Sequence, residues 1–73
     1  MEESFKVRSY GFGELAQLYF PNISKKSASA QLRKWIVLYK KMETELFKAG
    51  YKHPQRILTP MQVSIIARLI GEP

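Results

Sequence analysis

From Phe5 to Tyr10 the chain alternates, with Phe5, Val7 and Ser9 set against Lys6, Arg8 and Tyr10. A period of two predicts a short half-buried strand. An isolated strand pair is marginal in water, so the strand needs a partner and a helical layer. Arg56-Ile57-Leu58, another brief extended run, is the candidate partner. The period then lengthens. Phe12, Leu15, Leu18 and Tyr19 recur at three- and four-residue spacings and predict a first helix over Phe12–Phe20 with those side chains buried. Gly11 is its cap, and Glu14 at the third position favours the exposed amides and the positive dipole end. Pro21 drives Phe20 out of the helical region and stops the element.

Pro21-Asn22-Ile23 reads as a turn and Ser24 as the N-cap of a second helix, with Ser27 an alternative start and Ile23 packed beneath the incoming helix. Ala28, Leu32, Trp35, Ile36 and Tyr39 share one face, and Met42, Leu46 and Phe47 continue it roughly in phase. No Gly or Pro interrupts residues 24–49, which fits one long helix. The β-branched pair Ile36-Val37 and the crowded charges Lys40-Lys41 favour instead a break near residues 38–41, the preferred reading. Gly50 then supplies a left-handed cap, with Tyr51 folded back on Leu46 or Phe47. Tyr51–Arg56 is a basic loop. In the last element Thr59 caps, Pro60 takes the first position and Gln62 completes a capping box. Val63, Ile66, Ala67 and Ile70 form its inner face, Met61, Ile65 and Leu69 broaden it, and Gly71 and Pro73 close it. The expected fold is mainly α: three to four helices with a helix-turn-helix-like pair and a short two-stranded β-ribbon, in one domain over residues 1–73.

At 73 residues the core is small, burying about 60% of the extended chain's surface. Without cysteine neither a disulfide nor a thiolate zinc site can reinforce it. Self-association is then a natural way to add buried area, and a homodimer is one candidate state. The most apolar stretch, Met61–Ile70, contains Arg68 and has roughly half the length of a bilayer span. Met1–Ser4 carries two glutamates and no basic residue, unlike a secretory leader. No membrane partner and a cytoplasmic location are the expectations.

Charge sharpens the picture. Twelve Lys and Arg against six Asp and Glu give a net charge of +6. Between Lys25 and Arg56 nine basic residues face only Glu43 and Glu45, so the positive excess lies in the middle of the chain, where it attracts polyanions. On a helical wheel Lys26, Arg33, Lys34, Lys40 and Lys41 fall opposite the apolar arc. If Lys26, Ser29, Ala30 and Arg33 faced a major groove, arginine could pair with guanine, the small residues would admit the helix backbone, and the lysines would neutralise phosphates. The candidate nucleic-acid-binding set is Lys25, Lys26, Ser29, Arg33, Lys34, Lys40, Lys41, Lys52 and Arg56. Roughly six phosphate contacts would cost on the order of a thousandfold in affinity between 50 and 200 mM salt. Tyr10 and Tyr51 are candidate phosphate donors. Trp35 reads as core rather than as a base-stacking residue, given its spacing from Leu32 and Tyr39.

Other chemistries find little purchase. His53 is the only histidine and has no metal-site companions. No serine or threonine is paired with a base for nucleophilic attack. Glu43 and Glu45 point to different helix faces, and Gly11 and Gly13 lack the strand and spacing of a phosphate loop. Neither enzyme activity, a cofactor nor a small-molecule substrate is expected. The rival to DNA binding is a protein-interaction module, homodimeric through Met61, Ile65 and Leu69 on the last helix.

Glu14-Leu15-Ala16, Leu32-Arg33-Lys34-Trp35 and Arg56-Ile57-Leu58-Thr59-Pro60-Met61-Gln62-Val63 resemble the winged helix-turn-helix of MerR-like regulators and phage excisionases. That resemblance implies DNA binding through the second helix. The stretch from Glu14 to Trp35 is longer than their usual spacing, and Pro21-Asn22 stands where they commonly carry glycine. Over nearly its whole length the chain also resembles a family of short bacterial proteins of unknown function. Tyr10, Glu14-Leu15-Ala16, Tyr19-Phe20-Pro21, Ser27-Ala28, Leu32, Trp35-Ile36, Gly50-Tyr51, Thr59-Pro60, Gln62-Val63 and Gly71-Glu72-Pro73 carry this likeness. Relatives often have proline near residue 41, which implies a helix break there.

Overall fold

A computed structural model describes residues 5–73; the Met1–Ser4 start, expected not to be a secretory leader, lies outside the described residues. Four helices, α1 (Phe12–Tyr19), α2 (Lys25–Leu38), α3 (Lys40–Lys48) and α4 (Pro60–Ile70), surround one core, and two short strands, β1 (Tyr10–Gly11) and β2 (Ile57–Leu58), form a small antiparallel sheet. Tyr10 pairs with Leu58 and Gly11 with Ile57.

The expected ribbon is present but shorter than Phe5–Tyr10. Phe5 stacks on the Tyr10 ring at 5.5 Å, and the Tyr10 hydroxyl donates to the Lys6 carbonyl at 2.9 Å. These contacts fold residues 5–9 back on Tyr10 rather than along a ladder. On the other side Thr59 and Pro60 begin α4 immediately after Leu58, so the partner strand has no further residues to offer. The sheet's last bond, from the Phe12 N–H to the Arg56 carbonyl at 2.6 Å, takes up the first amide of α1.

Caps set most helix ends. Gly11 has no side chain to offer, and the Glu14 carboxylate instead accepts from the Gly11 N–H at 3.1 Å. Ser24 Oγ accepts from the Ser27 N–H at 3.1 Å, which fixes the start of α2 as expected. Tyr39 sits extended (φ −97°, ψ 90°) between α2 and α3, so the anticipated break falls there. At Gly50 φ is +88°; the Gly50 N–H reaches the Phe47 carbonyl and the Tyr51 N–H the Leu46 carbonyl, a complete Schellman cap. Thr59 and Gln62 form the capping box of α4.

Small residues bring α1 and α2 together. Ala16 and Ala28 are fully buried, and a Cβ on Gly13 would stand 2.8 Å from Lys25 Cγ. Leu15, Leu32, Ile36, Met42, Leu46, Leu58, Val63 and Ile66 complete the interior. Several side chains expected inside are not. Leu18 is 45% exposed because it lies at the edge of the apolar arc, and Ala16 takes the central place where α2 must approach. Ile23 is exposed, as are Phe47 and Tyr39. Trp35 is at the margin: its ring meets Phe20 edge-on at 4.8 Å while the rest stays open.

One polar group lies deep. Gln62 is 1% exposed; its Oε1 accepts from the Thr59 N–H and from Gln55 Nε2, and its Nε2 donates to the Ala49 carbonyl. A single amide thus ties the start of α4, the end of α3 and the loop before β2 together.

Candidate nucleic-acid interface

The first nine residues of α2 carry exposed Lys25, Lys26 and Ala30 and half-buried Ser29 and Arg33 on one arc, because the 3.6-residue period turns Ala28, Leu32 and Ile36 inward. That arc does not face open solvent alone. It forms one wall of a cleft of about 1310 Å³ whose other walls are the start of α1, at Gly13 and Glu14, and the end of the loop before β2, at Arg56. The helix turn and the small sheet therefore bring Arg56 to the side of Lys25, Lys26 and Arg33, despite its distance along the sequence.

Geometry within the cleft assigns different characters to the cations. The Arg33 guanidinium stands 5.3 Å from the centroid of the Phe12 ring, which is 5% exposed, so a buried aromatic limits where it can point. The Lys25 stem passes over Gly13, with Cγ and Cδ at 2.8 and 2.9 Å from where a Cβ would be. Lys26 and Arg56 are exposed and reach the cleft on flexible stems. Among the described residues none of these four forms an ion pair within 4 Å; the pairs present are Arg8–Glu14, Lys40–Glu43 and Arg68–Glu45.

Glu14 is the anion on the cleft rim. The backbone hydrogen bond from Gly11 holds its carboxyl below the usual carboxylate range, and the Arg8 side chain and the nearby Lys25 charge add to this. It remains ionised at neutral pH, but its oxygens are taken by Gly11 and Arg8. The cleft keeps a positive excess.

The remaining candidates separate from this group. Lys34 lies on the next groove along α2, with Arg33, Val37 and Leu38. Lys40 and Lys41 belong to α3, beyond the Tyr39 joint. Lys40 pairs with Glu43 at 3.5 Å. Glu45 is held below the carboxylate range first by its hydrogen bond from Arg68, and the charges of Lys41 and Lys48 also contribute. Lys52 is exposed, its backbone N–H donating to Gln55 Oε1 at 3.1 Å. Tyr51, a candidate phosphate donor, is instead 5% exposed; burial raises its phenol and the Arg33 charge partly offsets this. Tyr10 is equally buried, its hydroxyl spent on Lys6. The helix break separates Lys40 and Lys41 from the cleft and burial removes Tyr10 and Tyr51, while Lys34 and Lys52 stay exposed outside it.

The rival surface is also divided. Met61 is 65% exposed, but Ile65 is buried in the core and Leu69 is half-buried against it. Met61 and Ile65 share a shallow surface groove with Glu45, Lys48 and Ala49 at the end of α3.

Four residues play roles that the sequence pattern did not show: Phe12 as the support of Arg33, Gly13 as the close-approach point, and Gln55 and Gln62 as the brace of the Arg56 loop. Only the capping-box position of Gln62 was a visible signal. No group of three or more metal-ligating side chains occurs among the described residues, and no helix among them is long and apolar enough to cross a membrane.

No curated protein and no solved structure matches the chain, so the helix-turn-helix likeness rests on motifs alone. Residues 6–73 match the domain of unknown function DUF4248. With that match running from just before β1 through the end of α4, the chain belongs to the DUF4248 family.

Proposed function

We propose that the basic cleft binds nucleic acid, with duplex DNA as the ligand and the N-terminal half of α2 as the reading element. One observation carries this: Lys25, Lys26 and Arg33 from α2 and Arg56 from the far side of the chain line a single open cleft, with no ion pair within 4 Å among the described residues and with Glu14 on the rim bonded to Gly11 and Arg8. Four cations gathered without partners repel one another, and a polyanion relieves that cost. Ser29 and Ala30 lie between them on α2, small enough for the helix to approach base edges closely. Arg33, oriented by Phe12, is suited to bidentate contact with guanine, and Lys25, Lys26 and Arg56 to phosphates.

The protein is then a binding module rather than an enzyme, and a regulatory or accessory role follows from that. One chain supplies the whole cleft, so the function does not require a homodimer. A fluorescence-anisotropy titration of labelled duplex DNA at about 50 and 200 mM salt tests this. Three phosphate contacts correspond to a loss of roughly fortyfold over that range. Binding indifferent to salt, or none at the lower concentration, rules the function out.

A further inference from the structure

Beyond the cleft stands an aromatic ring that the core does not use. Phe47, on the last turn of α3, is 53% exposed. It stacks on Tyr51 with centroids 6.1 Å apart and planes 23° from parallel. Tyr51 is 5% exposed and fixed by the bond from its N–H to the Leu46 carbonyl, so Phe47 is held by a partner that cannot turn away. A ring already oriented loses little freedom when something settles on it.

This pair adjoins the cleft. The Arg33 charge acts on the Tyr51 hydroxyl, and the same guanidinium faces the Phe12 ring on the cleft wall. Lys52 follows Tyr51 directly, and its N–H is held by Gln55, another cleft residue. Phe12, with Arg33 over its ring, stands on the cleft wall, and Tyr51, within reach of the Arg33 charge, carries Phe47 on its outer side. The anion one turn before Phe47, Glu43, is paired with Lys40. An apolar protein segment settling here would strip water from Arg33, Lys48 and Lys52 without replacing it, whereas a base brings its own phosphate.

We propose that Phe47 on Tyr51 is a stacking seat for an unpaired base of a strand whose backbone continues into the basic cleft. This rests on the nucleic-acid function above. Paired bases show only their edges, so the seat selects nucleic acid with a single-stranded segment beside a duplex. The test compares a blunt duplex with the same duplex bearing a short 3′ or 5′ overhang, in anisotropy titrations of wild type, Phe47→Ala and Phe47→Trp. Wild type is expected to prefer one overhang by on the order of tenfold, the scale of one base stacked on an aromatic ring. Phe47→Ala abolishes that preference and keeps blunt-duplex affinity and the thermal midpoint; Phe47→Trp keeps the preference. Equal affinity of wild type for all probes, or a preference that survives Phe47→Ala, overturns the stacking seat alone. No binding to any probe overturns both the seat and the function beneath it.

Discussion

Gly13 shows how much a single missing side chain can determine. At the second position of α1, alanine would be favoured by helix propensity by up to about 1 kcal/mol, yet its Cβ would meet Lys25 Cγ at 2.8 Å and Cδ at 2.9 Å. The lysine stem is exposed and can swing aside, so the two effects nearly cancel in stability while the ammonium leaves the cleft. Gly13→Ala is therefore expected to leave the melting temperature within a few degrees of wild type and to weaken DNA binding severalfold; unchanged affinity would remove Lys25 from the site. Tyr19 offers a spectroscopic check. Its hydroxyl donates to the Gly71 carbonyl at 2.6 Å, and burial, aided by the Glu72 charge, raises it from 10.0 to about 12. The folded state favours the neutral phenol, so the associated stability is full below pH 10 and disappears as pH climbs towards 12. In an absorbance titration at alkaline pH, Tyr19→Phe is expected to remove a phenol that ionises at about pH 12. Residue-level roles were the least legible in the sequence: Trp35, Tyr10 and Tyr51 all have amphipathic rings, and only the observed backbone path decides which end is covered.

Among elements, the helices declared their bounds, whereas the ribbon declared its two strands but not its length. Ser24, Gly50, Thr59, Pro60 and Gly71 satisfy or terminate backbone groups locally, so their positions follow from chemistry within four residues. The ribbon depends on a partner far along the chain, and alternation from Phe5 to Tyr10 could not reveal that aromatic stacking would end it early. The Gln62 amide is the other long-range device. Gln62→Leu preserves size but leaves the Thr59 N–H and the Ala49 carbonyl without their partner, while the Gln55 amide keeps its bond to the Ile57 carbonyl. It is expected to cost about 2–3 kcal/mol in urea unfolding, against less than about 0.5 kcal/mol for exposed Ser64→Ala. A similar small loss in both would mean that water replaces the amide and that the brace is incidental.

Over the whole molecule, the sequence places the positive charge in the middle of the chain and predicts it on one flank, whereas the structure divides it between two surfaces. The extended residue at Tyr39 turns α3 away from α2, so Lys40 and Lys41 sit near Glu43 and Glu45 while Lys25, Lys26 and Arg33 join Arg56. The proposed function requires the second group and not the first. The most direct measurement is the slope of log affinity against log salt for duplex DNA in wild type, Lys25→Ala/Lys26→Ala and Lys40→Ala/Lys41→Ala. Each lost phosphate contact lowers the magnitude of the slope by about 0.9. A reduction of about 2 in the α2 variant with little change in the α3 variant is expected; equal reductions in both, or a larger one in the α3 variant, would contradict the cleft as the site.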